Sequence, residues 1–463
     1  MKTKFLTLAT AALLLAACSG QDDLTGNVQQ PVTAAEEDMP IGFDTYISSN
    51  SQGQTRASDY PYVVGVNTGL YGADELSYNG FGIFAYLSNT SISNDFTSTP
   101  DFMYDQKVTY DAATGWTYTP LKYWPNMTTD DKRTGNGATM DGTTPTEKYV
   151  NFFAYAPYIP TTTDGNSDYL DASTGEVKDK NGTARTTGIT NIVANTGTAA
   201  APTITYKVAT DASKCTDLLW ATAPLGGLHF ASVKGGAINN VTAGMPLINL
   251  LKPETQTKLK FSFQHALTAM KMSIQLAVDQ VEAGGKLDSN TKVYVESIKL
   301  TSSKNTTGFA TEGKLNLLNT AAFTPRWETT GTASDLTISA SGGNVTINPA
   351  LTASNTGVTT TAQGVFASDV NKTLMFIPVF STAGDLSVTV TITYKVVTND
   401  ANYTGGKVET PNTISNSVVL KNYKAGRLYN LKLVLGLTSV KIDAEAQDWA
   451  VEESTVDLPR NLE

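Results

Sequence analysis

Residues 386–397 read Leu-Ser-Val-Thr-Val-Thr-Ile-Thr-Tyr-Lys-Val-Val, with apolar and polar side chains at alternate positions. That period of two puts one kind of side chain on each face of an extended strand, and the β-branched residues suit a pleated surface. The same style recurs along the chain. Residues 41–47 alternate through Ile41, Phe43, Thr45 and Ile47, and residues 81–87 form a continuous apolar run that suits a buried strand. Further strands are predicted at 103–110, 116–119, 149–155, 217–221, 259–263, 270–278, 293–300, 373–380, 428–435 and 440–446. Asp111 to Gly115 separates two of these runs and signals a hairpin. No helical pattern persists beyond a turn or two, although residues 261–270 could hold one such turn. The expected class is therefore all-β, arranged as two β-sandwich domains. Turn residues around 224–227 and the span 234–257 place the boundary, giving domains at 38–250 and 251–449. Residues 160–202 and 303–368 are weakly patterned, and the first of these reads as a long surface insertion.

The N-terminus carries a different signal. Met1 to Lys4 is charged, residues 5–15 are mostly apolar, and Leu15-Ala16-Ala17-Cys18 follows. The run is too short for a permanent membrane span, and small residues stand where a signal peptidase cuts. A cysteine at that point marks a bacterial lipoprotein signal at 1–18, with Cys18 as the acylated (palmitate-type) lipid acceptor and new N-terminus. The chain is thus expected to be exported and held to the outer membrane through lipid. Residues 19–37 read as a flexible polar tether. Beyond Cys18 the chain has one cysteine, Cys215, expected to be a buried thiol, so stability must come from sheet packing. The charged fraction is 16%, the formal net charge is −10, and no basic cluster exists, which argues against nucleic acid as a partner.

Chemistry-bearing patterns are sparse. His229 and His265 lie far apart among apolar residues and read as core or edge histidines. Gly80 to Ala85 fits a dinucleotide-binding pattern, but it opens a strand instead of leading into a helix whose N-terminus meets phosphate. Asp164, Asn166 and Asp168 alternate as in a calcium loop, yet Tyr169 and Gly175 stand at the sixth and twelfth positions, so a solvated loop is expected. No particular carboxylate pair is singled out for glycoside hydrolysis. The expectation is no enzyme activity, no catalytic residue, no cofactor and no metal.

The aromatic motifs resemble a known family. Phe81-Gly82-Ile83-Phe84-Ala85-Tyr86, Trp116-Thr117-Tyr118-Thr119-Pro120 leading to Tyr123-Trp124-Pro125, and Phe152-Phe153-Ala154-Tyr155-Ala156-Pro157 are similar to the fimbrillin (Mfa-like) family of fimbrial lipoproteins. Asp217 to Ala221, Phe261 to Leu267, Tyr429 to Leu433 and Val440 to Trp449 follow in that family's order. The motifs are folding signatures, and their aromatics are first of all core residues.

The resemblance implies two tandem transthyretin-like β-sandwich domains and a structural subunit of a cell-surface fimbrium, in a shaft, tip or accessory place. It implies partners as well: other fimbrial subunits in a homo- or hetero-polymer, an Arg-specific surface protease, and an adhesion target. Assembly would follow cleavage in the loop after the first strand, at Arg56 and Ala57. The leader and the displaced strand (Ile41, Phe43, Thr45, Ile47) would leave, and a strand from another subunit would fill the groove. Candidate donor residues are Val440, Ile442, Ala444, Trp449 and Val451, with residues 450–463 as the tail. Glu452, Glu453, Asp457 and Pro459 interrupt the tail's alternation. The alternative expectation is a monomeric outer-membrane lipoprotein that binds glycans or mediates adhesion; exposed aromatics in residues 160–202 or 303–368 would support it, and the few that those stretches hold (Tyr169, Phe309, Phe323, Trp327) count against it.

Overall fold

The computed structural model describes residues 39–48, 54–56, 80–89, 91–92, 96, 99–111, 114–125, 148–194, 201–209, 215–233, 237–277, 290–302, 309–329, 335–339, 345–346, 362–366, 373–378, 384–436 and 440–448. Among them every regular element is a strand, so the chain is all-β. The alternating runs form ladders as expected. The hairpin signal becomes Met103–Asp111 paired with Gly115–Thr117, and Gly115 supplies the positive φ of 77° that the turn requires. At residues 261–270 there is no helical turn. Lys258–His265 and Thr268–Leu276 are strands on either side of Ala266 and Leu267, because β-branched and aromatic neighbours favour extension.

The largest sheet has nine strands. Its order is Gln54–Arg56, Gly42–Ser48, Lys258–His265, Leu219–Thr222, Tyr149–Ala156, Phe81–Ser88, Met103–Asp111 and Gly115–Thr117, with Leu247–Leu250 added to Tyr149–Ala156. A four-stranded sheet runs Arg326–Thr329, Glu312–Asn316, Thr203–Lys207, Gly188–Val193. One five-stranded sheet runs Gln363–Gly364, Thr268–Leu276, Arg427–Leu435, Val440–Asp448, with Thr373–Phe376 also on Thr268–Leu276. The other runs Val345–Thr346, Leu336–Ser339, Thr291–Ser302, Gly384–Asn399, Lys407–Tyr423. Two short pairs, Leu228–Ala231 with Ile238–Val241 and Tyr169–Leu170 with Val177–Lys178, complete the described strands.

Among the described residues two apolar clusters form the interior. Phe81–Ser88 shows how they arise from one strand. Phe81, Ile83 and Ala85 point to one cluster, which also holds Ile41, Phe43, Phe152 and Phe261. Phe84 and Tyr86 point to the other, which continues through Trp220, Tyr206 and Met270 to Leu374 and Leu431. A strand buried on both faces is continuously apolar, as this one is.

Residues 160–202 are more than a surface insertion. They contribute Leu170, Val177, Ile189 and Ile192 to the core, all buried. These apolar residues come singly or in pairs, so their periodicity was too weak to read. Sheet neighbours are also shared across the expected boundary at 250. Lys258–His265 lies in the nine-stranded sheet, and Glu312–Asn316 pairs with Thr203–Lys207.

Candidate functional site

The first strand, Gly42–Ser48, runs parallel to Lys258–His265, with Gly42 opposite Lys258 and Ile47 opposite Phe263. Its other edge pairs with Gln54–Arg56, antiparallel, in the register Tyr46 to Arg56 and Ser48 to Gln54. A parallel partner cannot be reached by a tight turn, so this strand and Lys258–His265 meet only through long-range folding. Inward alternation then buries Ile41 and Phe43 to 1% and Thr45 to 0% exposure.

Phe43 fills a cage of rings drawn from four separate segments. Its centroid lies 5.3 Å from Tyr118, 5.7 Å from Phe261 (stacked), 6.0 Å from Phe152 and 6.5 Å from Phe81. These spacings are in the range where aromatic pairs attract. The strand's beginning is held by polar bonds. The Ile41 amide donates to the Lys122 carbonyl at 2.9 Å, and the Trp124 amide donates to the Met39 carbonyl at 2.9 Å. The Tyr118 hydroxyl donates to the Ile41 carbonyl at 2.8 Å, and the Gln256 amide group donates to the Pro40 carbonyl at 2.8 Å. Burial pushes the Tyr118 hydroxyl up to about 12, so it stays a proton donor at neutral pH.

Arg56 was expected in an open polar stretch. The structure pairs its backbone with Tyr46, at the outer edge of the sheet and at the end of its short strand. Ala57 and Cys18 lie outside the described residues, as do the side chain of Ile47 and residues Trp449 and Val451. The remaining donor candidates belong to Val440–Asp448, which pairs antiparallel with Arg427–Leu435. There Val440 faces Leu435, Ile442 faces Leu433 and Ala444 faces Leu431. Ile442 and Ala444 are partly buried against the core.

The other sequence signals resolve as local structure. His265 Nδ1 is 2.6 Å from Asp217 Oδ2, and Asp217 Oδ1 accepts the Leu218 amide at 2.8 Å. His229 is exposed on Leu228–Ala231. Asp164 Oδ1 accepts the amides of Asn166 and Ser167 at 2.8 Å each, which is a turn cap on a solvated loop. Cys215 is buried, as expected. Among the described residues no group of three His, Cys, Asp or Glu could hold a metal ion. Of the aromatics that a sugar platform would expose, Phe309 is 1% exposed, and the Trp327 indole donates to the Ala266 carbonyl at 2.8 Å.

One notable group was invisible in the sequence. Asp105 is buried at a bulge in Met103–Asp111, with φ 46°, and accepts a 2.8 Å bond from the Tyr155 hydroxyl. Its Oδ2 has no hydrogen-bond partner among the described residues. Burial pushes its carboxyl up to about 8, against the opposing pull of the Tyr155 bond. Gly82 makes room for it, since a Cβ there would lie 2.6 Å from Asp105 Oδ1 and 2.5 Å from the Tyr155 ring. A single Asp in an alternating strand gives no signal of such burial.

No protein-family model matches the chain, and no curated protein matches it. Solved structures do. Fimbrial and candidate cell-adhesion proteins are among them. A fimbrial protein from Bacteroides vulgatus aligns over 89% of this chain and 100% of its own, at 21% identity and a TM-score of 0.48. A candidate cell-adhesion protein from Bacteroides uniformis covers 90% of this chain and 100% of its own, at 13% identity and a TM-score of 0.36. A fimbrial assembly protein from Parabacteroides distasonis covers 89% and 97%, at 9% identity and a TM-score of 0.28.

Proposed function

We propose that this chain is a structural or tip subunit of a bacterial surface fimbrium. It would be exported as a lipoprotein precursor on Cys18 and assembled by strand exchange after a cut at Arg56–Ala57. It works without catalysis, with other subunits, an Arg-specific protease and an adhesion target as its partners. We also read the chain as two tandem transthyretin-like sandwiches, the second lending Lys258–His265 to the first sheet.

One observation carries this reading: the first strand is an inner ladder member with Ile41, Phe43 and Thr45 buried on its inward side, and its antiparallel partner ends at Arg56. A cut after Arg56 severs both strands from the rest together. Their departure opens the edge of Lys258–His265 and uncovers the rings around Phe43. An open ladder edge beside an apolar groove is a template for strand addition. At the other end, residues 440–448 already pair within their own sheet, so a donor segment from this chain would lie from Trp449 and Val451 onward.

N-terminal sequencing of the native surface form tests the reading. A start at Ala57 supports it, and a lipid-blocked Cys18 on every assembled subunit contradicts it. Arg56→Ala should leave the precursor lipidated and unpolymerised; normal polymer ladders from that variant would remove the cleavage step.

A further inference from the structure

The slot of the first strand specifies what refills it, provided that strand exchange occurs as proposed above. Three inward positions are described, occupied by Ile41, Phe43 and Thr45. Ile41 and Phe43 are apolar among apolar neighbours. Thr45 is 0% exposed, and its Oγ1 has no hydrogen-bond partner among the described residues. A buried hydroxyl left unpaired has lost its water without replacement, and an aliphatic side chain of similar shape avoids that loss. The resident strand therefore fits at two positions and is defective at the third.

We propose that the slot selects an aliphatic–aromatic–aliphatic strand from a different subunit, running parallel to Lys258–His265. Thr45 is the weakness that lets such a strand displace the resident one. The aromatic is needed because four rings line the middle position, and a smaller side chain would leave a cavity among them. Residues 440–463 contain one aromatic, Trp449. Placing Trp449 in the ring cage would put the amide of Gln447 in the apolar place of Ile41. Every other register of that segment leaves the cage underfilled. A segment of another chain thus fits better than this one, which makes the polymer heteromeric at this joint.

The test uses the full chain with a specific protease site inserted after Ala57, so that it is independent of the native protease. After cutting, release of the N-terminal fragment is followed by mass spectrometry in the presence of ten-residue peptides. One copies residues 39–48, one carries Val in place of Thr45, one carries Ala in place of Phe43, and one copies residues 447–456. The Val peptide should displace the fragment at about tenfold lower concentration than the plain copy, since one unpaired hydroxyl is removed. The Ala peptide and the 447–456 peptide should not enter. In the chain itself, Thr45→Val should slow fragment release by about tenfold. Selection is overturned if the Val peptide has no advantage, or if the Ala or 447–456 peptide enters equally well. Equal displacement by all peptides leaves exchange standing and removes selection, whereas displacement by none removes both.

Discussion

The first and last described strands differ in how they are held. Gly42–Ser48 is parallel to its inner partner, sits one strand in from the sheet's edge, and buries Phe43 among four rings. Val440–Asp448 is antiparallel, forms the outermost strand of its sheet, and offers the smaller, partly buried Ile442, Ala444 and Ala446. The first binds through deep side-chain pockets. The last holds mainly through its ladder and an alternating apolar stripe. A strand bound by pockets leaves a specific vacancy when it departs, and one bound by its ladder leaves an edge that many sequences can fill.

Substitution at the two ends should separate them. Phe43→Ala should have the largest effect, a loss of about 3–5 kcal/mol in chemical denaturation, because it empties the ring cage. A loss below that of Ile442→Ala would break the comparison. The next effect is a pH dependence on the far face of the first sheet. The Asp105 carboxyl rises from 3.8 to about 8 on folding. Between those values the folded chain holds a proton that the unfolded chain has released, so stability should fall as pH rises from about 4 to about 8, then level off. The total is on the order of several kcal/mol, and Asp105→Asn should flatten the profile. At the last strand, the exposed Lys432–Glu445 pair has its charges 3.5 Å apart and is worth about 0–1 kcal/mol. Ile442→Ala should cost about 1–2 kcal/mol, less than a full core truncation because Ile442 is partly buried. Tyr118→Phe should be smallest, about 1 kcal/mol for the lost bond to Ile41, and it should loosen the start of the first strand together with the Lys122 backbone that the same hydroxyl contacts. Hydrogen exchange at Phe43 and Thr45 would detect that loosening.

Strands with strict alternation or continuous apolar runs were legible in the sequence, including Phe81–Ser88 and Gly384–Asn399. Lys407–Tyr423 was not, because it is mostly exposed and its polar residues hide the period. Pairing was harder to read than the strands. That Gly42–Ser48 neighbours a strand more than two hundred residues away follows from tertiary packing, and no local pattern encodes it. At the site, the inward positions Ile41, Phe43 and Thr45 followed from the period of two. The cage around Phe43 depends on elements distant in sequence, as does the burial that leaves the Thr45 hydroxyl without a partner among the described residues; the edge pairing of Arg56 with Tyr46 is local, but the polar residues between them hide it.

Backbone hydrogen exchange along Lys258–His265 tests strand exchange most directly. Those of its amides that face Gly42–Ser48 should be protected in the intact precursor, open after cleavage behind Arg56, and protected again once the next subunit has joined, while the amides that face Leu219–Thr222 stay protected throughout. If the amides facing Gly42–Ser48 stay protected through the cut, the first strand never left and the account is contradicted.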